Sequence, residues 1–240
     1  MKGIDGRLIE VEVLWDGVQD RSTYPYNIPS IGALSNLDLD QPVTFIVGEN
    51  GSGKSTLLEA IAVASGLSAE GGSRNLRFSS HDTHSDLRDH LRLSWRGRPK
   101  RAFFLRAESF YNVASKYEDV LDLPSLHERS HGESFLEAVQ RHFGLAGLYF
   151  LDEPESALSL RGQLALLRLM HERLGNSCQF VISTHSPILL AFPNAKILQM
   201  SENGPAEVDY QDTDQYLLTK AFLDDPEAFL RHLFSDEESG

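Results

Sequence analysis

The chain has 240 residues, 41% hydrophobic and 24% charged, a balance that supports a full-sized core and excludes disorder by composition. A net charge of −13 argues against wholesale coating of nucleic acid, which needs clustered Lys and Arg. The single cysteine, Cys178, excludes an intrachain disulfide framework and a multi-cysteine zinc site.

No stretch nears the roughly 18 consecutive apolar residues of a membrane span. Met1–Glu10 lacks the basic-then-apolar layout of a signal peptide. A reducing cytoplasm and no intrinsic membrane span are therefore the expectation.

Taken in chain order, Leu8–Leu14 alternates around Glu10 and Glu12 and predicts a partly exposed strand. Val43–Val47 (VTFIV) is a continuous β-prone run, as in strands buried on both faces of a parallel sheet. A glycine-rich turn follows, then a helix over Ser55–Ser65. From 67 to 147 the periodicity weakens, Gly71-Gly72-Ser73 reads as loop, and His and Arg are frequent. This stretch is expected to be a smaller lobe inserted into a single domain spanning 1–240, with a helix over Ser134–His142. Leu148–Leu151 (LYFL) and Phe180–Ser183 (FVIS) are further buried strands. Between them Leu160–Leu174 predicts a helix with Leu160, Leu164, Leu167 and Leu174 on a core-facing stripe. Ile197–Met200 and Glu207–Tyr210 read as strands toward an edge, and the acidic C-terminal end as disordered or solvated. Strands alternating with helices mean an α/β sheet with crossover connections.

Gly48-Glu49-Asn50-Gly51-Ser52-Gly53-Lys54-Ser55-Thr56 satisfies G-x-x-x-x-G-K-[ST] between a strand and a helix. Its glycines let backbone N–H groups fold around phosphates, and the positive helix end attracts the same anion. Lys54 supplies a point charge for the β- and γ-phosphates, and the Ser55 hydroxyl is placed to ligate Mg²⁺. Leu148–Leu151 runs into Asp152-Glu153-Pro154. A strand end beside the phosphate loop would hold Asp152 on the Mg²⁺ shell and let Glu153 polarise a water for in-line attack on the γ-phosphate.

Together Glu49–Thr56, Asp152-Glu153-Pro154 and Ser183-Thr184-His185 resemble the nucleotide-binding cassette of ABC-type ATPases. The likeness is closest to the stand-alone AAA, SMC-like and RecF-like branch. Ser130-His131-Gly132-Glu133 is similar to the signature motif of that family, with Glu in place of Gln; a plain helix cap, Ser followed three residues later by Glu, would read the same. Ser156-Ala157-Leu158-Ser159 resembles the D-loop, and His185 stands where the family has its switch histidine. The resemblance implies a P-loop NTPase fold with an ABC-type mostly parallel sheet core, antiparallel N-terminal strands and a smaller inserted helical lobe bearing the signature. It implies ATP and Mg²⁺ as ligands and ATP hydrolysis to ADP and phosphate. It also implies an ATP-dependent head-to-tail homodimer in which Ser130 and Gly132 of one copy close over the nucleotide of the other. Such a dimer would drive a conformational cycle in a partner, with DNA repair or defence as settings. The alternative is the ATP-binding subunit of an ABC membrane transporter.

One departure counts against the transporter. Transport cassettes carry a glutamine after the strand that enters the lobe, whereas Ala102–Leu105 is followed by Arg106-Ala107-Glu108, leaving Glu108 as a stand-in ligand. The candidates for the adenine-stacking aromatic expected upstream are Tyr24 and Tyr26; the alternative is that the Tyr-Pro-Tyr run only shapes a loop. His81, His84, His90, His127 and His131 match no zinc spacing. Arg88 to Arg106 holds seven basic residues against one acid, Asp89, and is the candidate patch for nucleic acid or an acidic partner.

Overall fold

The computed structural model describes residues 6–73, 85–107, 139–140, 143, 146–174 and 177–235. Its centre is a seven-stranded sheet in the spatial order β10 (Gly204–Glu207), β9 (Lys196–Ser201), β3 (Val43–Val47), β8 (Gln179–Ser183), β7 (Leu148–Asp152), β6 (Ala102–Arg106), β4 (Gly72–Ser73). The five inner strands run parallel, and only the two edges, β10 on β9 and β4 on β6, are antiparallel. A second, antiparallel sheet joins β2 (Asn36–Asp38), β1 (Arg7–Val13) and β5 (Leu91–Arg96). This is the α/β P-loop architecture with a mostly parallel core and antiparallel N-terminal strands.

The uninterrupted apolar runs follow from burial on both faces. Every residue of β3, β7 and β8 is buried. Phe45, Tyr149, Leu151, Phe180 and Ile182 point to one core, shared with α3 (Leu160–Leu174). Ile46, Leu148, Phe150 and Val181 point to the other, shared with α2 (Lys54–Ala64) and β1. Alternation along a strand sends successive side chains to opposite layers.

Three expectations are corrected. On α3, Leu160 and Leu164 are 60% and 54% exposed, while Gly162, Leu166, Leu169 and Met170 are buried. The helix carries two apolar stripes, and the sheet takes the one beginning at Gly162, whose missing side chain admits Leu158. The strand expected at Glu207–Tyr210 lies earlier, at Gly204–Glu207: the turn at Glu202-Asn203 starts pairing at Gly204↔Ser201, and Tyr210–Asp212 is a short 3₁₀ turn. The acidic end, expected to be disordered or solvated, is solvated and helical as far as it is described: α4 (Asp214–Asp224) and α5 (Pro226–Ser235) carry no buried residue. Within 67–147, β4 and β6 belong to the central sheet and β5 to the second, so those strands are core rather than insertion.

Gln179 couples the two sheets. Its buried amide nitrogen donates to Leu8 O (2.8 Å) and Leu39 O (2.7 Å), and its oxygen accepts from Leu8 N (2.9 Å). Removing the amide would strand buried backbone groups of β1, which costs more than the bond itself is worth. Gln179→Leu should lower the unfolding free energy by about 3 kcal/mol, measured by urea denaturation; a loss below about 1 kcal/mol would show the coupling to be dispensable.

Candidate functional site

Parallel register brings the C-terminal ends of β3, β6, β7 and β8 to one edge. Ile46 and Asp152 both pair with Ser183, and Arg106 pairs with Asp152. Sites in open α/β sheets form beyond these strand ends.

The phosphate loop, residues 48–56, leaves β3 here and opens α2. Gly48 has φ +149°, and a Cβ there would lie 2.7 Å from Ser52 Oγ. Gly53 caps α2 at φ +86°, where a Cβ would press on Ile31 at 3.0 Å. Only glycine combines these dihedrals with that contact. Ser30 Oγ donates to Ser52 O at 2.5 Å and ties the loop to α1 (Pro29–Gly32). Lys54 is buried, with Nζ donating to Gly48 O (3.0 Å) and Glu49 O (2.8 Å). Burial pushes its pKa down, against the pull of Glu153, Asp152 and Glu155. Its ammonium thus fills the loop that the motif would give to phosphate.

Asp152 ends β7 and is a shared acceptor. Its Oδ1 accepts from Ser55 Oγ (2.8 Å) and Ser183 Oγ (2.5 Å), and Arg106 Nε stands 3.3 Å from Oδ2. Arg106 also pairs with Glu59 of α2. A serine hydroxyl beside a carboxylate is the hard-oxygen donor set that suits Mg²⁺, which keeps most of its waters and takes phosphate oxygens for the rest. Among the described residues no group of three His, Cys, Asp or Glu could hold a metal by itself.

Glu153 adopts the left-handed conformation, φ 48° and ψ 53°, unusual outside glycine and a known marker of functional sites. It is held by its N–H donating to Ser183 O at 3.0 Å. Glu153 lines a cavity of about 540 Å³ with Tyr24, Asn50, Lys54, Ser55 and Thr56. His185 Nε2 lies 3.6 Å from Glu153 Oε1. Burial first, then Lys54, lowers the His185 pKa against the pull of Glu153, which favours the neutral imidazole. The loop, Lys54, Ser55, Asp152, Glu153 and His185 thus lie together at one strand edge.

Tyr24 and Tyr26 separate cleanly. Tyr24 is 59% exposed over the cavity, with its hydroxyl 3.0 Å from Thr56 Oγ1. Tyr26 is 4% exposed, and its hydroxyl donates to Asp86 at 2.8 Å, so it is a core residue and is withdrawn as a stacking candidate. Ser130, Gly132 and Glu108 lie outside the described residues, as do His81, His84, His127 and His131. Within Arg88–Arg106, Arg92 pairs with Glu12, Arg96 with Asp40 and Arg88 with Asp89, and Arg106 turns into the site. Arg98, Lys100 and Arg101 are exposed between the strands β5 and β6.

Two functional neighbours were not singled out from sequence. Arg106 had a signal, a charged residue closing an otherwise apolar strand next to Asp152. Glu155 had little, being one more acid in an acidic turn. Its Oε1 accepts from His185 N at 2.5 Å and so fixes the backbone that carries the imidazole.

Burial is the main cause raising the Glu155 pKa above its ordinary 4.5. An acid with a raised folded pKa adds stability below its ordinary value, lost as pH climbs through the raised one. Glu155→Gln keeps the acceptor and removes the charge. Its melting temperature should decline less than that of the unmodified chain as pH rises above 4.5; parallel pH profiles would show that Glu155 carries no such burden.

A family model described as an AAA domain matches residues 27–121. The chain is 30% identical over 166 residues to the cytochrome c biogenesis ATP-binding export protein CcmA of Rhodopseudomonas palustris (strain BisB5), covering 63% of this chain and 82% of that protein. The CcmA of Nitrobacter winogradskyi is 29% identical over 63% of this chain and 82% of its own length. Among solved structures, the SMC head domain from Thermotoga maritima superposes with a TM-score of 0.49 at 19% identity, over 84% of this chain and 98% of that one. A proposed metal-chelate type ABC transporter in an inward-facing conformation gives 0.48 at 21% identity, over 76% and 78%. On the coverage and identity of its CcmA relatives, and with a phosphate loop, acidic strand end and histidine disposed as described, the chain belongs to the ABC-type P-loop ATPases.

Proposed function

We propose that the protein binds ATP with Mg²⁺ and hydrolyses it to ADP and phosphate, closing as a head-to-tail dimer that drives a conformational cycle in a partner. The observation that carries this reading is the convergence of Lys54, Ser55, Asp152 and Glu153 on one strand edge, with Glu153 lining the cavity. Phosphoryl transfer asks a protein mainly for positioning and charge stabilisation. The glycine loop and Lys54 would hold the phosphates. Ser55 and Asp152 would hold the cation, whose role is to neutralise phosphate charge. Glu153 would orient and deprotonate the attacking water, and His185 would contact the γ-phosphate side of the site. Tyr24 is the residue placed to stack on the base.

Closure by a second copy rests on Ser130-His131-Gly132-Glu133. The chain between β6 and β7 is the proposed signature-bearing lobe, narrowed from 67–147 because the earlier strands are core. The reading places the protein in the cytoplasm, where ATP is available, in a repair or defence setting. A second reading, the ATP-binding subunit of a membrane exporter, is favoured by the CcmA relatives, which are ATP-binding export proteins. The lack of a glutamine in Arg106-Ala107-Glu108, after the strand Ala102–Leu105, counts against it.

Lys54→Ala should weaken ATP binding by about tenfold or more, read by fluorescent-nucleotide titration; undiminished affinity would remove Lys54 from the phosphate site. Glu153→Gln should keep binding but slow turnover by roughly 10²-fold or more and accumulate an ATP-bound dimer visible by light scattering. Normal phosphate release from that variant would rule out Glu153 as the base.

A further inference from the structure

We propose that Arg106 is an internal counter-ion that sets the demand of this site for a divalent cation, neutralising Asp152 until nucleotide and metal displace it. The inference rests on the nucleotide-site reading and deepens it. Asp152 Oδ1 is already taken by the hydroxyls of Ser55 and Ser183. Oδ2 faces the Arg106 guanidinium, with Nε at 3.3 Å. The same guanidinium is tethered on its other side by Glu59. Glu59 lies four residues after Ser55 on α2 and so on the same helical face. One planar cation therefore bridges the helix that bears the Ser55 hydroxyl and the strand that bears the acid.

Two properties make this more than a surface ion pair. The side chains of Asp152 and Arg106 are only 7% and 23% exposed, so their interaction is less screened by water and salt than an exposed pair. A guanidinium also cannot release its proton near neutral pH. An incoming cation is therefore met by a fixed charge that can only move away or repel it. A divalent ion approaching the Ser55–Asp152 pair meets this like charge within ångströms. Phosphate oxygens approaching the same place meet an attractive one. The arrangement thus disfavours metal alone and favours the anion first.

The test titrates Mn²⁺ alone, without nucleotide, following free ion by electron paramagnetic resonance. Arg106→Gln should bind Mn²⁺ about tenfold more tightly than the unmodified protein, while Arg106→Lys, which keeps the charge, should stay within about threefold of it. Glu59→Gln removes the competing tether, leaves the guanidinium to Asp152 alone, and should weaken Mn²⁺ binding. Adding Asp152→Asn to Arg106→Gln should abolish the gain. In EDTA, Arg106→Gln should bind fluorescent ATP several-fold more weakly, the opposite sign from its Mn²⁺ gain.

The proposal is overturned if Arg106→Gln binds Mn²⁺ no more tightly than the unmodified chain. It is also overturned if Arg106→Gln and Glu59→Gln shift Mn²⁺ affinity in the same direction, as a general loosening would. An unmodified protein that binds no ATP, with the Mn²⁺ pattern intact, refutes the nucleotide reading and upholds the counter-ion.

Discussion

Four segments far apart in sequence meet at one carboxylate. Asp152 is contacted by Ser55 from the helix after the phosphate loop, by Ser183 from the neighbouring strand and by Arg106 from the strand on its other side. A carboxylate buried this deeply is costly unless its oxygens are matched, so the position of each donor is constrained by the need to satisfy it. That requirement links loop, helix and three strands into one unit and fixes where any cation or phosphate must sit.

The unit depends on parallel pairing in register. A one-residue slip of β7 against β8 would turn Asp152 to the opposite layer and bring an apolar side chain to the cavity. Large residues interlocking on both faces resist such a slip: Tyr149 stacks on Phe180 at 5.4 Å on one side, and Phe104 meets Phe150 edge-on at 6.5 Å on the other. The second sheet adds its own constraint through Gln179, whose amide ties β1 to the start of β8. The packing is thus what makes this edge reproducible.

Much of this could be read from the chain alone. Buried parallel strands announce themselves as unbroken runs such as Val43–Val47, and a phosphate loop needs glycines at particular dihedrals, so its pattern survives in one dimension. What failed was information that exists only after docking. Leu160–Leu174 offers two apolar faces, and periodicity cannot say which one meets the sheet. Tyr24 and Tyr26 are equivalent in sequence, but only the loop geometry exposes the first and buries the second. Arg106 was counted with a basic patch because charge counting ignores direction; the strand pleat turns it inward while Arg92 and Arg96 face acids of β1 and of the loop before β3.

The charges at this edge are already balanced from within. Lys54 donates to its own loop carbonyls, Asp152 accepts from two hydroxyls and borders a guanidinium, and burial favours the neutral His185 imidazole. Each of these contacts occupies a position that a triphosphate and its cation would fill with stronger, charge-assisted ones. Ligand binding here is therefore an exchange of partners in a pre-shaped cavity rather than the assembly of a site. Glu153 is paired differently: it lines the cavity beside Lys54, and its Oε1 lies 3.6 Å from His185 Nε2. On the proposed reading that neighbour, rather than Lys54 or Asp152, would release the carboxylate to act on a water when the other groups are engaged by ligand.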